Sequence, residues 1–305
     1  MRVALSFLFL PMPHPFPWIG FEDLVQILEG TTAVVLSGAG VSTESGIPDY
    51  RGPKTRSKER SPIRYDEFVG SADTRRHYWA RATVGWPSFR ETEPNPGHDA
   101  LARLEDAGLL AGIITQNVDR LHQSAGSRRV VELHGALAEV VCLDCGAVTD
   151  RNAEHDRMLA RNDGWADRVA EIAPDGDADL PRSVTQTFRV PACRSCGGVL
   201  KPNVTFFGGT VPDHRVEAAW ALLADADVLL VAGSSLHVYS GYRFVRGAAE
   251  ADQPIGIVNL GSTRGDDLAR VCVEGKTGEL LPCLADRLMG TAPAPAAPPT
   301  RAAPR

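Results

Sequence analysis

Thr32-Ala33-Val34-Val35-Leu36 is a short, largely β-branched run that feeds directly into Ser37-Gly38-Ala39-Gly40. A run that is apolar throughout suits a strand buried on both faces, and so a parallel sheet covered by helices. A strand opening into Gly-x-Gly brings bare backbone N–H groups up to a diphosphate. The glycines let a ligand approach, and the N-terminus of a following helix would add a favourable dipole. The loop departs from the dehydrogenase fingerprint. Thr43 stands where the third glycine is expected, and Asp49 comes too early to be the ribose-reading acid about twenty residues on. The pattern predicts a dinucleotide site, but not one built for ordinary hydride transfer.

The remaining chain repeats the strand–helix alternation. Helical spacing over Phe21–Glu29 stops at Gly30, and Pro96-Gly97-His98 opens a helix running to Asp106. Strands are predicted over 110–115, 129–133, 226–232 and 254–259, and helices over 216–223 and 277–289. This alternation predicts an α/β fold, a Rossmann-like doubly wound parallel sheet whose post-strand turns line one crevice. Polar residues follow two of these strands. Gln116, Asn117 and Asp119 suit ribose hydroxyls and a carboxamide, or shape a turn. His134, in Leu-His-Gly at a strand end, can exchange a proton near neutral pH.

Two Cys-x-x-Cys pairs, Cys142/Cys145 and Cys193/Cys196, account for four of the six cysteines. Four thiolates suit a tetrahedral zinc with no open position, hence a structural site. A redox pair is the alternative reading. The long interval between the pairs, with Ala173-Pro174-Asp175-Gly176-Asp177, reads as an arm inserted in the module. The predicted organisation is a leader (1–20), a discontinuous dinucleotide-binding unit (21–55, 91–141, 198–289), a helical segment with a cofactor loop (56–90), a zinc module (142–197) and an Ala/Pro-rich disordered tail (290–305). Aromatics in 68–89 read as core rather than as a ligand cage.

A net charge of −6 argues against a general nucleic-acid binder. No apolar run reaches the length of a membrane span. The apolar N-terminus is followed by prolines and lacks a small-residue cleavage site, so a cytoplasmic location is expected. The oligomeric state is not readable from the sequence, and a monomer is compatible with it.

The string Gly38-Ala39-Gly40-Val41-Ser42-Thr43-Glu44-Ser45-Gly46-Ile47-Pro48-Asp49-Tyr50-Arg51-Gly52 resembles the first signature of the sirtuins, the NAD-dependent protein deacylases. Thr115-Gln116-Asn117-Val118-Asp119-Arg120-Leu121-His122, then Glu132-Leu133-His134-Gly135, then the cysteine pairs follow in the family's order. The resemblance runs from about Phe21 to Met289. The inserted arm, Tyr78-Trp79-Ala80-Arg81, and Gly233-Ser234-Ser235-Leu236 with Tyr239-Ser240-Gly241-Tyr242 resemble class II members.

The resemblance implies NAD as co-substrate, structural zinc and acyl-lysine proteins as substrates. It implies His134 as the catalytic base, with Asn117 beside it. Cofactor contacts implied are Gly38, Ala39, Gly40, Thr43, Tyr50 and Arg51 in the first motif, with Gln116 and Asn117 at the nicotinamide ribose. Ile47, Asp49 and Asp119 hold the nicotinamide. Gly233, Ser234, Ser235, Asn259, Leu260, Gly261 and Thr277 match phosphate, ribose and adenine contacts. Four positions depart from the family pattern. Tyr50 replaces a common phenylalanine, Asn203 a usual aspartate, Gly209 a usual glutamate and Ser240 a common proline. The last three are expected near the acyl-peptide groove. The implied reaction moves an acyl group from lysine to ADP-ribose. Mono-ADP-ribosyl transfer, or NAD sensing without catalysis, are the alternatives.

Overall fold

The computed structural model describes residues 18–49, 63–168, 170 and 176–290. Tyr50, Arg51, the leader up to residue 17, most of the 51–64 segment and the tail from 291 lie outside the described residues. Nine strands are described: β1 Ala33–Ser37, β2 Leu110–Thr115, β3 Val130–Glu132, β4 Gly135–Cys142, β5 Val148–Asp150, β6 Leu200–Val204, β7 Val228–Ala232, β8 Ile255–Asn259 and β9 Val271–Glu274. The described α-helices are α1 Phe21–Leu28, α2 Tyr65–Gly70, α3 Ala72–Arg90, α4 Pro96–Asp106, α5 Leu121–Ser124, α6 Arg151–Leu159, α7 Arg182–Thr185, α8 Asp213–Ala224, α9 Tyr239–Glu250 and α10 Thr277–Leu288.

Six strands form one sheet in the order β3-β2-β1-β7-β8-β9, every pairing parallel. This is the doubly wound order, and the chain reverses its direction of winding beside β1. Alternate residues of β1 enter different cores, as a pleated strand requires. Val35 packs with Leu24, Leu101 and Leu284 of α1, α4 and α10. Val34 and Leu36 pack with Leu222, Phe244 and Val245 of α8 and α9 on the other face. The register sets Ser37 level with Thr115 on one side and Ala232 on the other. Three loops therefore leave the sheet at one height.

A second sheet, in the order β5-β4-β6, is antiparallel. With α2, α3 and α6 it encloses its own core around Trp79, Tyr78, Val140, Met158 and Leu200. The sequence begins the zinc module at Cys142, whereas the small sheet begins at Gly135 and closes at Val204. Among the described residues, no helix is long and apolar enough to cross a membrane.

Candidate active site

The glycine loop meets an expectation and corrects another. The loop does leave β1 for the sheet's crevice, but two short 3-10 turns over Ala39–Val41 and Thr43–Ser45 follow it, not an α-helix. The glycines also serve a contact that the sequence did not announce. A Cβ on Gly38 would lie 2.9 Å from the Gly233 carbonyl, and one on Gly40 would lie 2.8 Å from the Gly233 Cα. Gly40 donates its N–H to that same carbonyl at 2.8 Å. The loops after β1 and β7 thus interlock through bare backbone.

On the other side of β1, the loop after β2 supplies the polar cluster. Asn117 Nδ2 donates to the Gly38 carbonyl at 3.1 Å and to Ser42 Oγ at 2.9 Å. Ser42 Oγ donates to Asp119 at 2.7 Å, and Asp119 also accepts the Leu121 N–H at 3.0 Å. Burial pushes the Asp119 carboxyl up, against the pull of these hydrogen bonds. Gln116 Nε2 reaches Ser234 Oγ at 2.8 Å, so all three loops are stitched together by amide side chains. Both amides hold backbone or hydroxyl partners, so they are oriented before any ligand arrives.

His134 lies in the two-residue link between β3 and β4. Its Nδ1 is 3.0 Å from the Gln116 carbonyl and its Nε2 is 2.7 Å from Ser240 Oγ. Arg120, flanking the link, binds Glu132 of β3 at 3.0 Å and Glu139 of β4 at 2.5 Å, clamping the strands on both sides of the histidine. Burial, with the nearby Arg215 and Arg243 guanidiniums, lowers His134 to about 4. The ring is neutral at pH 7 and can accept a proton. His122 is different. It is buried behind Ser37, 2.8 Å from its hydroxyl, and has no face on the cleft.

The cleft has a volume of about 610 Å³, within the range of a small-molecule site. Its wall includes Gly38, Ala39, Gly40, Ile47, Asp49, Gln116, Asn117, Asp119 and His134, together with Gly233, Ser234, Ser235, Asn259 and Leu260. Thr43, Gly261 and Thr277 are not on it. The hydroxyls of Thr43 and Thr277 hold the Gly40 carbonyl at 2.9 and 3.2 Å, and Gly261 accepts from Asn259 Nδ2 at 2.8 Å. Each of the three bonds to a residue of the wall. Of the positions that depart from the family pattern, Gly209 and Ser240 line the cleft. Asn203 instead binds Glu139 at 2.8 Å and Arg215 at 3.3 Å.

Among the cleft groups that sequence analysis missed are Ser42, Tyr78 and Asp177. Ser42 is a small hydroxyl with no pattern of its own, and Ser240 was expected near the groove but not against His134. Tyr78 reads as core, and it is core, yet its ring also closes the cleft. Asp177 arrives on the inserted arm, 3.8 Å from Arg81 of α3, while Arg81 Nε donates to the Ala178 carbonyl at 2.9 Å. The spacing Tyr78-x-x-Arg81, which puts both on one helical face, was the signal available for this end of the cleft.

The four predicted metal ligands come together, with all four sulfurs within 4.8 Å of one another. Cys142 and Cys196 sulfurs are 3.5 Å apart, and Cys145 and Cys193 sulfurs 3.8 Å. A tetrahedron with Zn–S bonds of about 2.3 Å has edges of about 3.8 Å. The set fits zinc closed on all four positions.

Residues 38–240 match the family described as the Sir2 family. The chain is 51% identical over 271 residues to "NAD-dependent protein deacetylase 1" of Mycobacterium avium, covering 87% of this chain and 95% of that one. It is 46% identical over 281 residues to the human "NAD-dependent protein lipoamidase sirtuin-4, mitochondrial", covering 91% and 90%. The solved structure "Sir2-p53 peptide-NAD+" superposes with a TM-score of 0.70 at 30% identity, covering 89% of this chain and 98% of that one. With the interlocked glycine loop, the strand-end amides and the four-cysteine module all in place, the chain belongs to the Sir2 family.

Proposed function

We propose that this protein is an NAD-dependent protein-lysine deacylase, moving the acyl group from a lysine side chain to ADP-ribose. The observation that carries the reading is His134, neutral and on the cleft wall beside Gln116, Asn117 and Asp119. The relatives named as deacetylase and lipoamidase support it, as does the solved structure "Sir2 bound to acetylated peptide", at a TM-score of 0.71 and 28% identity.

NAD bound in the crevice supplies a glycosidic carbon that an acyl-lysine amide oxygen can attack as nicotinamide departs. The chain's own residues orient and deprotonate. The loops after β1 and β7 line the part of the crevice where the diphosphate would lie. Asn117 and Asp119 hold the nicotinamide end, and Gln116 the adjoining ribose. Fixing amide and glycosidic carbon together is chiefly a proximity effect. His134 then takes the proton of a ribose hydroxyl as its oxygen attacks the acyl carbon. The products are nicotinamide, free lysine and O-acyl-ADP-ribose. The four-cysteine zinc takes no part in the chemistry; it holds the small sheet that carries β4 and β6 to the cleft.

We read the enzyme as cytoplasmic, a reading supported by cysteines paired for metal, which suit a reducing compartment. Its macromolecular partners are acylated proteins, and a net charge of −6 gives no footprint for nucleic acid.

The test is nicotinamide release from NAD against acetyl-, lipoyl-, biotinyl-, long-chain and succinyl-lysine peptides, with His134→Ala in parallel. Release that depends on an acyl peptide, with acylated ADP-ribose lost in the variant, supports the deacylase. Protein gaining ADP-ribose with no acylated product would replace it with ADP-ribosyl transfer.

A further inference from the structure

We infer that Ser240 works with His134 as a hydroxyl–imidazole pair, fixing the ring and carrying the ribose hydroxyl's proton to it. The inference rests on the deacylase reading. It begins with the roles of the two ring nitrogens, which their partners assign. A backbone carbonyl can only accept, so the 3.0 Å contact between Nδ1 and the Gln116 carbonyl puts the ring hydrogen on Nδ1. In the neutral ring Nε2 then carries the lone pair. Ser240 Oγ, 2.7 Å from it, must be the donor.

The contact is built into the fold. Ser240 sits in the first turn of α9, and the next residue, Gly241, lies against the Gln116 side chain. A Cβ at 241 would come within 2.5 Å of Gln116 Oε1. Gln116 therefore sets both partners: its carbonyl orients the imidazole and its amide seats the turn that carries the serine. Gln116 is itself held by Ser234.

The basic lone pair of His134 thus does not face the cleft bare. Ser240 lines the cleft, and after donating to Nε2 its oxygen keeps lone pairs for a donor arriving from that side. A ribose hydroxyl gives its proton to Ser240 Oγ as the Ser240 proton moves to His134 Nε2. The substrate oxygen retains the electron pair that forms its bond to the acyl carbon. Serine ends neutral and the ring ends as imidazolium, so no other reactant is needed. A direct transfer would first have to break the 2.7 Å hydrogen bond.

The test compares wild type with Ser240→Ala, Ser240→Thr and Ser240→Cys in two assays. Exchange of labelled nicotinamide into NAD, with acyl peptide present, reports the step before the base acts. Single-turnover formation of acyl-ADP-ribose reports the step after it. Ser240→Ala is expected to slow the second at least tenfold and leave the first within twofold. Ser240→Thr, which restores a hydroxyl, is expected to recover most of the rate, and Ser240→Cys, a weak donor of similar size, little. Three results would overturn the pair: Ser240→Ala at the wild-type rate, both steps slowed equally, or Ser240→Thr as slow as Ser240→Ala. If Ser240→Ala does not fold, the contrast between the threonine and cysteine variants decides. Wild type lacking both activities would remove the deacylase reading and the pair with it, a result visible without any variant.

Discussion

The hydroxyl of Ser42 donates to the carboxylate of Asp119 across 2.7 Å, joining the loop after β1 to the loop after β2. The same hydroxyl accepts from Asn117 at 2.9 Å. One small residue therefore orients two groups that the proposed function sets at the nicotinamide. A hydrogen bond to a charged group contributes about 1.5–3 kcal/mol. Ser42→Ala is expected to lower kcat/KM for NAD by about ten- to hundredfold, read in steady-state kinetics. It also removes a bond that holds the Asp119 carboxyl down against its burial. The acidic limb of the pH–rate profile should therefore move to higher pH.

His98 and His122 stack edge to face with centroids 4.9 Å apart, both fully buried behind β1. Burial lowers them to about 4 and about 3 from an ordinary 6.5. The unfolded chain binds their protons first. Their contribution to stability is complete above about pH 6.5 and is lost as pH falls towards 4. The slope is about 1.4 kcal/mol per pH unit for each ring. Urea unfolding from pH 7 to 5 should show this, and His98→Gln should flatten the slope by one ring's share. Glutamine suits that test because His98 closes a capping box at the start of α4, a position glutamine also fills.

Metal removal should act on shape before chemistry. Cys142 ends β4 and Leu200, its register partner, begins β6, so the thiolate site pins the far end of the small sheet. Elemental analysis should find about one zinc per chain. Stripping it with a strong chelator, or Cys145→Ser, should lower the melting temperature by several degrees and abolish activity. Activity that survives full metal loss would contradict this.

Asp177 presents a carboxylate to the cleft wall near Tyr78, 3.8 Å from Arg81. An acyl chain ending in its own carboxylate meets a like charge there. Asp177→Asn should raise kcat/KM for succinyl-lysine relative to acetyl-lysine by about tenfold or more, one pKa unit's worth of interaction. Competition between the two peptides in one tube would measure it. An unchanged ratio would show that acyl ends stop short of the arm.

Five of the six strands of the doubly wound sheet were legible because each follows an apolar run bounded by a turn signal; β9, Val271–Glu274, alternates buried and exposed residues and was not predicted. Val228–Ala232 and Ile255–Asn259 lie within two residues of their predicted starts. The zinc cysteines were legible because two pairs at short spacing have few other uses. What could not be read was whatever depends on two distant segments meeting. Nothing local to Ser240 says that it faces His134, and nothing local to Asp177 says that it reaches Arg81. The 3-10 turns after Gly38 were missed for the same reason. Thr277, 237 residues away from Gly40, holds its carbonyl.

The contact of Gly38 and Gly40 with Gly233 sets a gauge between neighbouring loops. Each loop is the mould for the other, and the separation they enforce is the width of the jaw proposed to receive a diphosphate. A side chain added to either would be felt first as misalignment of the opposite jaw, before it touched any ligand. An engineer wishing to admit a different nucleotide would have to recut both loops together, since neither has a shape of its own.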